Sequence, residues 1–233
     1  MSLALEKLLG GPVCHGGTQI LVRDDGKLNP NTNHYCETWI KAYEARESGN
    51  KEETLKLVRK ATADLPPADF MAEMMELYPD AKVVHVRRDP PQRWWDSIQA
   101  VTARTAPWWF GVVLAPIPGW RHLATFASVQ SRSTLRLAGL DPATATPSDL
   151  IRHGGPRESG ISRRQTYILE AYHKKVASLV PERQLLEMEL DDGWGPLCRF
   201  LDATVPNTPF PRVNDAKAAD KYATGVLPKA LGV

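Results

Sequence analysis

The sequence predicts an α/β fold, a parallel β-sheet flanked by helices, and two stretches carry that expectation. Residues 68–102 read as helix, turn, strand, loop, helix, with the strand KVVHV between two helices of about ten residues. Residues 163–201 read as a long helix, a proline break, the short apolar strand QLLEM and a short helix. Strands that alternate with helices are joined by crossovers, and crossovers make parallel neighbours.

Taken in order, Ser2–Leu9 is a helix with Leu3, Leu5, Leu8 and Leu9 apolar, stopped by Gly10-Gly11-Pro12. A helix this early, with no strand before it, is unusual for an α/β domain. Residues 19–23 (QILVR) read as a short strand, and 24–33 as a loop rich in Asp, Asn, Gly and Pro. Residues 34–45 and 51–60 are expected helices, separated by Ser48-Gly49-Asn50. Residues 61–65 read as a strand ending at Pro66-Pro67. The helix 68–77 has a broad apolar face of Phe70, Met71, Met74, Met75 and Leu77, broken by Tyr78-Pro79-Asp80.

The strand 82–86 follows, then the exit Arg87-Arg88-Asp89-Pro90 and a helix over 92–102. Residues 104–160 are Trp-rich and broken by prolines, and helices with loops are expected there. The helix 163–180 carries Ile168, Leu169, Tyr172, Val176 and Leu179 at helical spacing; Lys174, Lys175, Arg163 and Arg164 form its solvated face. Pro181 ends it, 184–188 is a strand and 194–201 a helix. The turn-rich tail after Pro206 is expected to wrap the surface.

A chain of 233 residues reads as a single domain over 1–233, large enough to bury a core without metals or disulfides. Its net charge of +2 gives no bulk field for nucleic acid or a membrane surface, so no partner of either kind is expected. Cys14, Cys36 and Cys198 are far apart and odd in number, which predicts neither a zinc site nor a disulfide framework. Free thiols, with no signal-peptide pattern at the start, make the cytoplasm the expected compartment. The most apolar run, 106–118, is interrupted by Pro107, Pro116 and Pro118 and is too short to span a bilayer.

Arg88-Asp89-Pro90 is the strongest chemical signal. It stands directly after a strand and before a helix bearing Ser97, and ligands of parallel sheets collect beyond the C-terminal strand ends. A guanidinium there offers a planar fork of donors to phosphate, and the serine hydroxyl can add another. The alternative stays open: Arg88 pairs with Asp89 or Asp96, and the prolines merely start a helix.

The segment YPDAKVVHVRRDPPQRWWDSI resembles the stretch of sulfotransferases where a strand leads into an Arg-x-Pro turn and a helix carrying Ser. More narrowly, the chain is similar to the sulfotransferase-like P-loop NTPase family of fungi and bacteria. The matching blocks are SLALEKLLGGPVCHGG, ADLPPADFMAEMMELYPDAKVV, the RDP…WW…S block and GWGPLCRFLDATVPNTPFPRVND. Together they cover nearly the whole chain, most weakly from about 104 to 160. The resemblance implies a P-loop NTPase-like parallel sheet, with 3′-phosphoadenylyl sulfate (PAPS) as sulfuryl donor and no metal.

By position, the resemblance makes Arg88 and Ser97 the 3′-phosphate ligands. The run between them is one residue longer than the family's, with Pro90-Pro91 doubled. An extra residue inside the helix would turn Ser97 by about 100°. Arg212, in PFPRVND, parallels a C-terminal basic loop that reaches the same phosphate, or is a surface arginine. Asp64, before Leu65-Pro66, falls where the family keeps a catalytic His or Asp and would be the general base; it could equally cap the next helix. A free carboxylate titrates near about 3.9, so burial would have to strengthen it as a base. His15, in PVCHGG, is the second candidate base, or a loop residue.

In the family a Gly-rich phosphate loop, preceded by a strand, stands immediately before the helix matching SLALEKLL; here only Met1 and Ser2 precede it. The expectation is therefore an N-terminal truncation that removes the first strand and the loop. Residues 11–18 (GPVCHGGT) fit G-x-x-x-x-G-K-T only superficially, with Gly17 in place of Lys and Pro12 within, after a helix instead of a strand. Hydrogen bonds to charged groups contribute roughly 1.5–3 kcal/mol each. Losing three or four removes on the order of 5–10 kcal/mol, comparable to a whole micromolar affinity of about 8 kcal/mol. A chain so shortened would be donor-deficient. Its central strand would be absent too, unless residues 19–23 or a second subunit, as in a homodimer, filled the gap.

Trp108, Trp109 and Phe110 lie where sulfotransferases build their acceptor pocket and would suit a flat or apolar small-molecule hydroxyl acceptor; core packing is the other reading, for Trp94 as well. Two classes of function follow. One is a sulfotransferase-like enzyme. The other is a degenerate scaffold that binds without catalysis, or is turned to other small-molecule chemistry of secondary metabolism.

Overall fold

Val83–Val86 (β1) and Leu185–Met188 (β2) pair in parallel, Val83 opposite Leu185 and Val86 opposite Met188. The computed structural model describes residues 1–11, 32–61, 68–87, 90–105, 108–116, 120–146, 148–149 and 163–211. Among these, β1 and β2 form a two-stranded sheet. Residues 19–23 and most of 61–65, both expected as strands, lie outside the described residues.

The side chains alternate across this pair, as strand geometry requires. Val84, Leu186 and Met188 face a cluster made with Ala4, Leu5 and Leu8 of α1 (Ser2–Leu9) and Trp194, Leu197 and Cys198 of α9 (Trp194–Leu201). The other face, with His85 and its register partner Glu187, is turned toward Tyr172 and His173 of α8 (Arg163–Leu179). The described sheet therefore lies between α1 with α9 on one side and α8 on the other.

α1 ends where Gly10 takes φ 65° and donates its N–H to Glu6, the left-handed cap that glycine adopts without strain. α9 begins after Gly193, at φ 69° and ψ −148°, a conformation costly for a side chain. The preceding 3₁₀ turn Leu190–Asp192 is closed by a capping box in which Asp192 accepts from the Glu189 N–H at 2.7 Å. The tail is tied down here: Thr208 accepts from Trp194 Nε1 at its carbonyl and from Lys7 Nζ at its hydroxyl. Phe210 meets the Trp194 ring edge-on at 4.9 Å. Through Pro211 the tail wraps as expected.

A second core is helical. α2 (Thr32–Glu47) packs against α3 (Lys51–Ala61) and α7 (Leu123–Leu137), burying Cys36, Trp39, Ile40, Tyr43, Val58, Phe126 and Val129. Asn50 caps α3 by accepting from the Glu53 N–H, with Glu52 and Glu53 in the first turn and Arg59 and Lys60 in the last. Glu47 bonds both Arg132 and Arg136 of α7, at 2.5 and 2.8 Å. Burial alone would raise the Glu47 carboxyl, but these two arginines hold it below its usual value.

The helix expected over 68–77 divides into a 3₁₀ turn, Ala68–Phe70, and α4 (Met71–Leu77). The division falls at Phe70, which is fully buried, while the Asp69 carbonyl is taken by Arg46. Between β1 and α8 come α5 (Pro91–Thr105), α6 (Trp108–Leu114) and α7. α8 packs on α4, α5 and α7, and Trp95, Leu135, Ala138 and Ile168 make a third cluster there. Trp95 is thus a core residue, whereas Trp109 on α6 is about half exposed (49%).

Candidate functional site

β1 and α5 frame the turn in which the phosphate-binding arginine is expected. β1 continues past its last pair, the Arg87 N–H donating to the Met188 carbonyl at 2.8 Å. Arg87 also faces Glu187 of β2 at 3.6 Å. α5 starts at Pro91, whose fixed φ and missing N–H suit the first helical position. Ser97 lies on this helix and is exposed. Asp96, a conceivable partner for Arg88, accepts from Gln92 Nε2 at 2.7 Å, one turn back on the same helix.

Of the residues expected in the site, Ser97 is the one the structure places. Arg88, Asp64, His15 and Arg212 lie outside the described residues. The framing elements on either side of Arg88 are in place, and so is the anchor after the stretch that holds Asp64. That anchor is Asp69, whose Oδ2 accepts from Tyr43 at 2.6 Å. Arg46 donates to the Asp69 carbonyl at 2.9 Å and lies over the Phe70 ring at 4.1 Å. Aromatic faces suit a guanidinium partly withdrawn from water.

Two buried groupings escape a reading of the sequence. In the first, burial and then the Asp69 charge push the Tyr43 hydroxyl far above its ordinary value, and the same two causes push Tyr172 up to about 12. The two tyrosines therefore stay neutral, Tyr43 donating to Asp69, and neither is available as a phenolate. In the second, His85 Nε2 lies 2.5 Å from His173 Nδ1, with the Tyr172 ring 5.6 Å from His85. Burial, then the neighbouring His173, lowers the His85 value. Both groupings join residues distant in sequence, so no local spacing announces them. An isolated His in a strand and an aromatic pattern in a helix are ordinary core signals.

Cys36 is no nucleophile: burial, then Glu37, pushes its thiol up to about 12, so it remains protonated. Among the described residues no cluster of three or more His, Cys, Asp or Glu is arranged to hold a metal ion. No described helix is long and apolar enough to cross a membrane.

Comparison with known proteins bears on the family of the chain. The Ava biosynthesis cluster protein M of Aspergillus versicolor is 33% identical over 156 residues, which is 66% of this chain and 53% of that protein. The chain thus spans about half the length of the curated relative it matches. A family model described as a sulfotransferase domain matches residues 1–219. The small parallel sheet with its covering helices is consistent with that family's α/β fold, and the chain belongs to the sulfotransferase domain family.

Proposed function

We propose that the whole protein to which this chain corresponds transfers a sulfuryl group from PAPS to a hydroxyl of a small molecule. The observation that carries the reading is the frame around Arg88: a parallel strand ending at Val86, a helix beginning at Pro91, and an exposed Ser97 on that helix. Family membership supports the donor, and the relative's place in a biosynthesis cluster supports a small-molecule acceptor.

In this reading Arg88 and Ser97 hold the 3′-phosphate, with Arg212 as a further basic contact. The acceptor oxygen displaces the nucleotide at sulfur, its proton passing to Asp64 or His15. The electrons of the broken S–O bond leave on adenosine 3′,5′-bisphosphate. Nothing in that exchange needs a metal. The protein's part is to position two reactants and to stabilise charge on the leaving phosphate. In this family a Gly-rich loop grips the 5′-phosphosulfate, and in this reading it completes the donor site.

The half-exposed Trp109 favours one second reading: a non-catalytic scaffold that binds a small molecule through the aromatic region around it. Calorimetry with adenosine 3′,5′-bisphosphate, and transfer of radiolabelled sulfate from PAPS, separate the two. A form with a phosphate loop ahead of α1 is expected to bind and transfer, and Arg88→Ala to lose at least tenfold in affinity. Binding that is unchanged in Arg88→Ala, or absent in the longer form, would overturn the enzyme reading.

A further inference from the structure

On the sheet face turned toward α8, two imidazoles meet. His85 Nε2 lies 2.5 Å from His173 Nδ1, the rings edge to face at 78° with centroids 4.7 Å apart. His85 is only 7% exposed, with the Tyr172 ring among its neighbours at 5.6 Å. A hydrogen bond between two ring nitrogens holds one hydrogen, so one ring must donate and the other accept. With both rings protonated, two N–H groups carrying positive charge would face each other in a site with little water.

We propose that the His85–His173 pair is an acid-sensitive latch between α8 and the β1–β2 sheet, closed by one shared hydrogen and opened when both rings are charged. The charges that reach His85 from the described residues are few. Glu187, its register partner on β2, favours the protonated ring; Arg87 on β1 and His173 on α8 oppose it. Glu187 also faces Arg87, which divides its attraction. Tyr172 is held neutral by its burial and by Asp69 of the adjoining 3₁₀ turn. No charge from α4, α5 or α7 is among those that act on His85 from the described residues. Because α8 packs on those three helices as well, its release from the sheet would loosen the contacts that join them.

The sign follows from which state takes up protons first. His85 is lowered in the folded chain, so the unfolded chain binds protons first as pH falls. Stability is therefore complete above about pH 6.5, the value of a free imidazole, and declines below it. A ring that stays neutral when folded raises the unfolding constant by about tenfold at pH 5.5.

The latch stands apart from the transfer reaction and is tested without it. Denaturant unfolding of the intact chain at pH 7.5 and 5.5 is expected to show an acid sensitivity that His85→Leu lessens by about that factor. Amide exchange in Arg163–Leu179, corrected for intrinsic rates, is expected to quicken at pH 5.5 in the wild type but not in the variant. Equal acid sensitivity in both proteins would overturn the latch. Should His85→Leu fail to fold, nitrogen-15 NMR of the wild-type imidazoles decides: His85 titrating at its ordinary value removes the proposal, and a ring still neutral at pH 6 supports it.

Discussion

Tyr43 and Asp69 are joined by a hydrogen bond of 2.6 Å that ties the middle of α2 to the turn preceding α4. Tyr43 is fully buried and Arg46, one turn along α2, grips the same turn at the Asp69 carbonyl. Two side chains of one helix thus fix the backbone that follows residues 62–67. Removing the hydroxyl leaves a part-buried carboxylate short of a donor. Tyr43→Phe is expected to destabilise the fold by about 1–3 kcal/mol. Urea denaturation measures this, and a cycle with Asp69→Ala should show coupling of at least about 0.5 kcal/mol.

Tyr172 is pushed up to about 12 by burial and by Asp69. Its folded value is raised above the unfolded one near about 10, so the unfolded chain releases its proton first in alkali. Stability is whole below pH 10 and falls between there and about pH 12. Tyr172→Phe is expected to flatten that alkaline limb, read by thermal unfolding across pH 9 to 11.

Gln184, buried just before β2, donates from Nε2 to the carbonyls of Pro79 at 2.6 Å and Ala81 at 3.2 Å. The amide clamps the approach to β1 against the approach to β2. Gln184→Leu keeps the bulk and strands these acceptors, at an expected cost of about 1–3 kcal/mol. Exchange of the β1 amides should quicken with it. Unchanged β1 protection would show that the clamp adds nothing to strand pairing.

Ser97 is exposed on α5. Ser97→Ala should therefore leave stability within about 0.5 kcal/mol. In a form that binds adenosine 3′,5′-bisphosphate it is expected to weaken binding by about 1.5–3 kcal/mol, the range for a hydrogen bond to a charged group. Calorimetry checks the affinity and a melting curve the stability.

Local pattern made most of the fold legible. α9 has the bounds read from the sequence, and β1 and α8 differ from theirs by one residue. α2 runs farther at both ends than residues 34–45, through Arg46 and Glu47, whose partners lie on other elements. The strand expected over 184–188 loses its first residue because Gln184 is drawn into a 3₁₀ turn that aims its amide at Pro79 and Ala81. Around Arg88, the strand end and the helix start were readable, because strand, prolines and helix adjoin in the chain. The Tyr43–Asp69 and His85–His173 pairs were not, being 26 and 88 positions apart. Only the packing of α2, α8 and the sheet brings them together.

The β1–β2 pairing also shapes how the chain is made. Val83 meets Leu185 only after roughly a hundred further residues have been synthesised. At ~5–20 residues per second that interval lasts about 5–20 seconds. The α2–α3 hairpin is local and can form on the ribosome long before, but the edge of β1 that β2 covers must wait. The nascent chain is then at its most adhesive, and holding factors would have the most to protect.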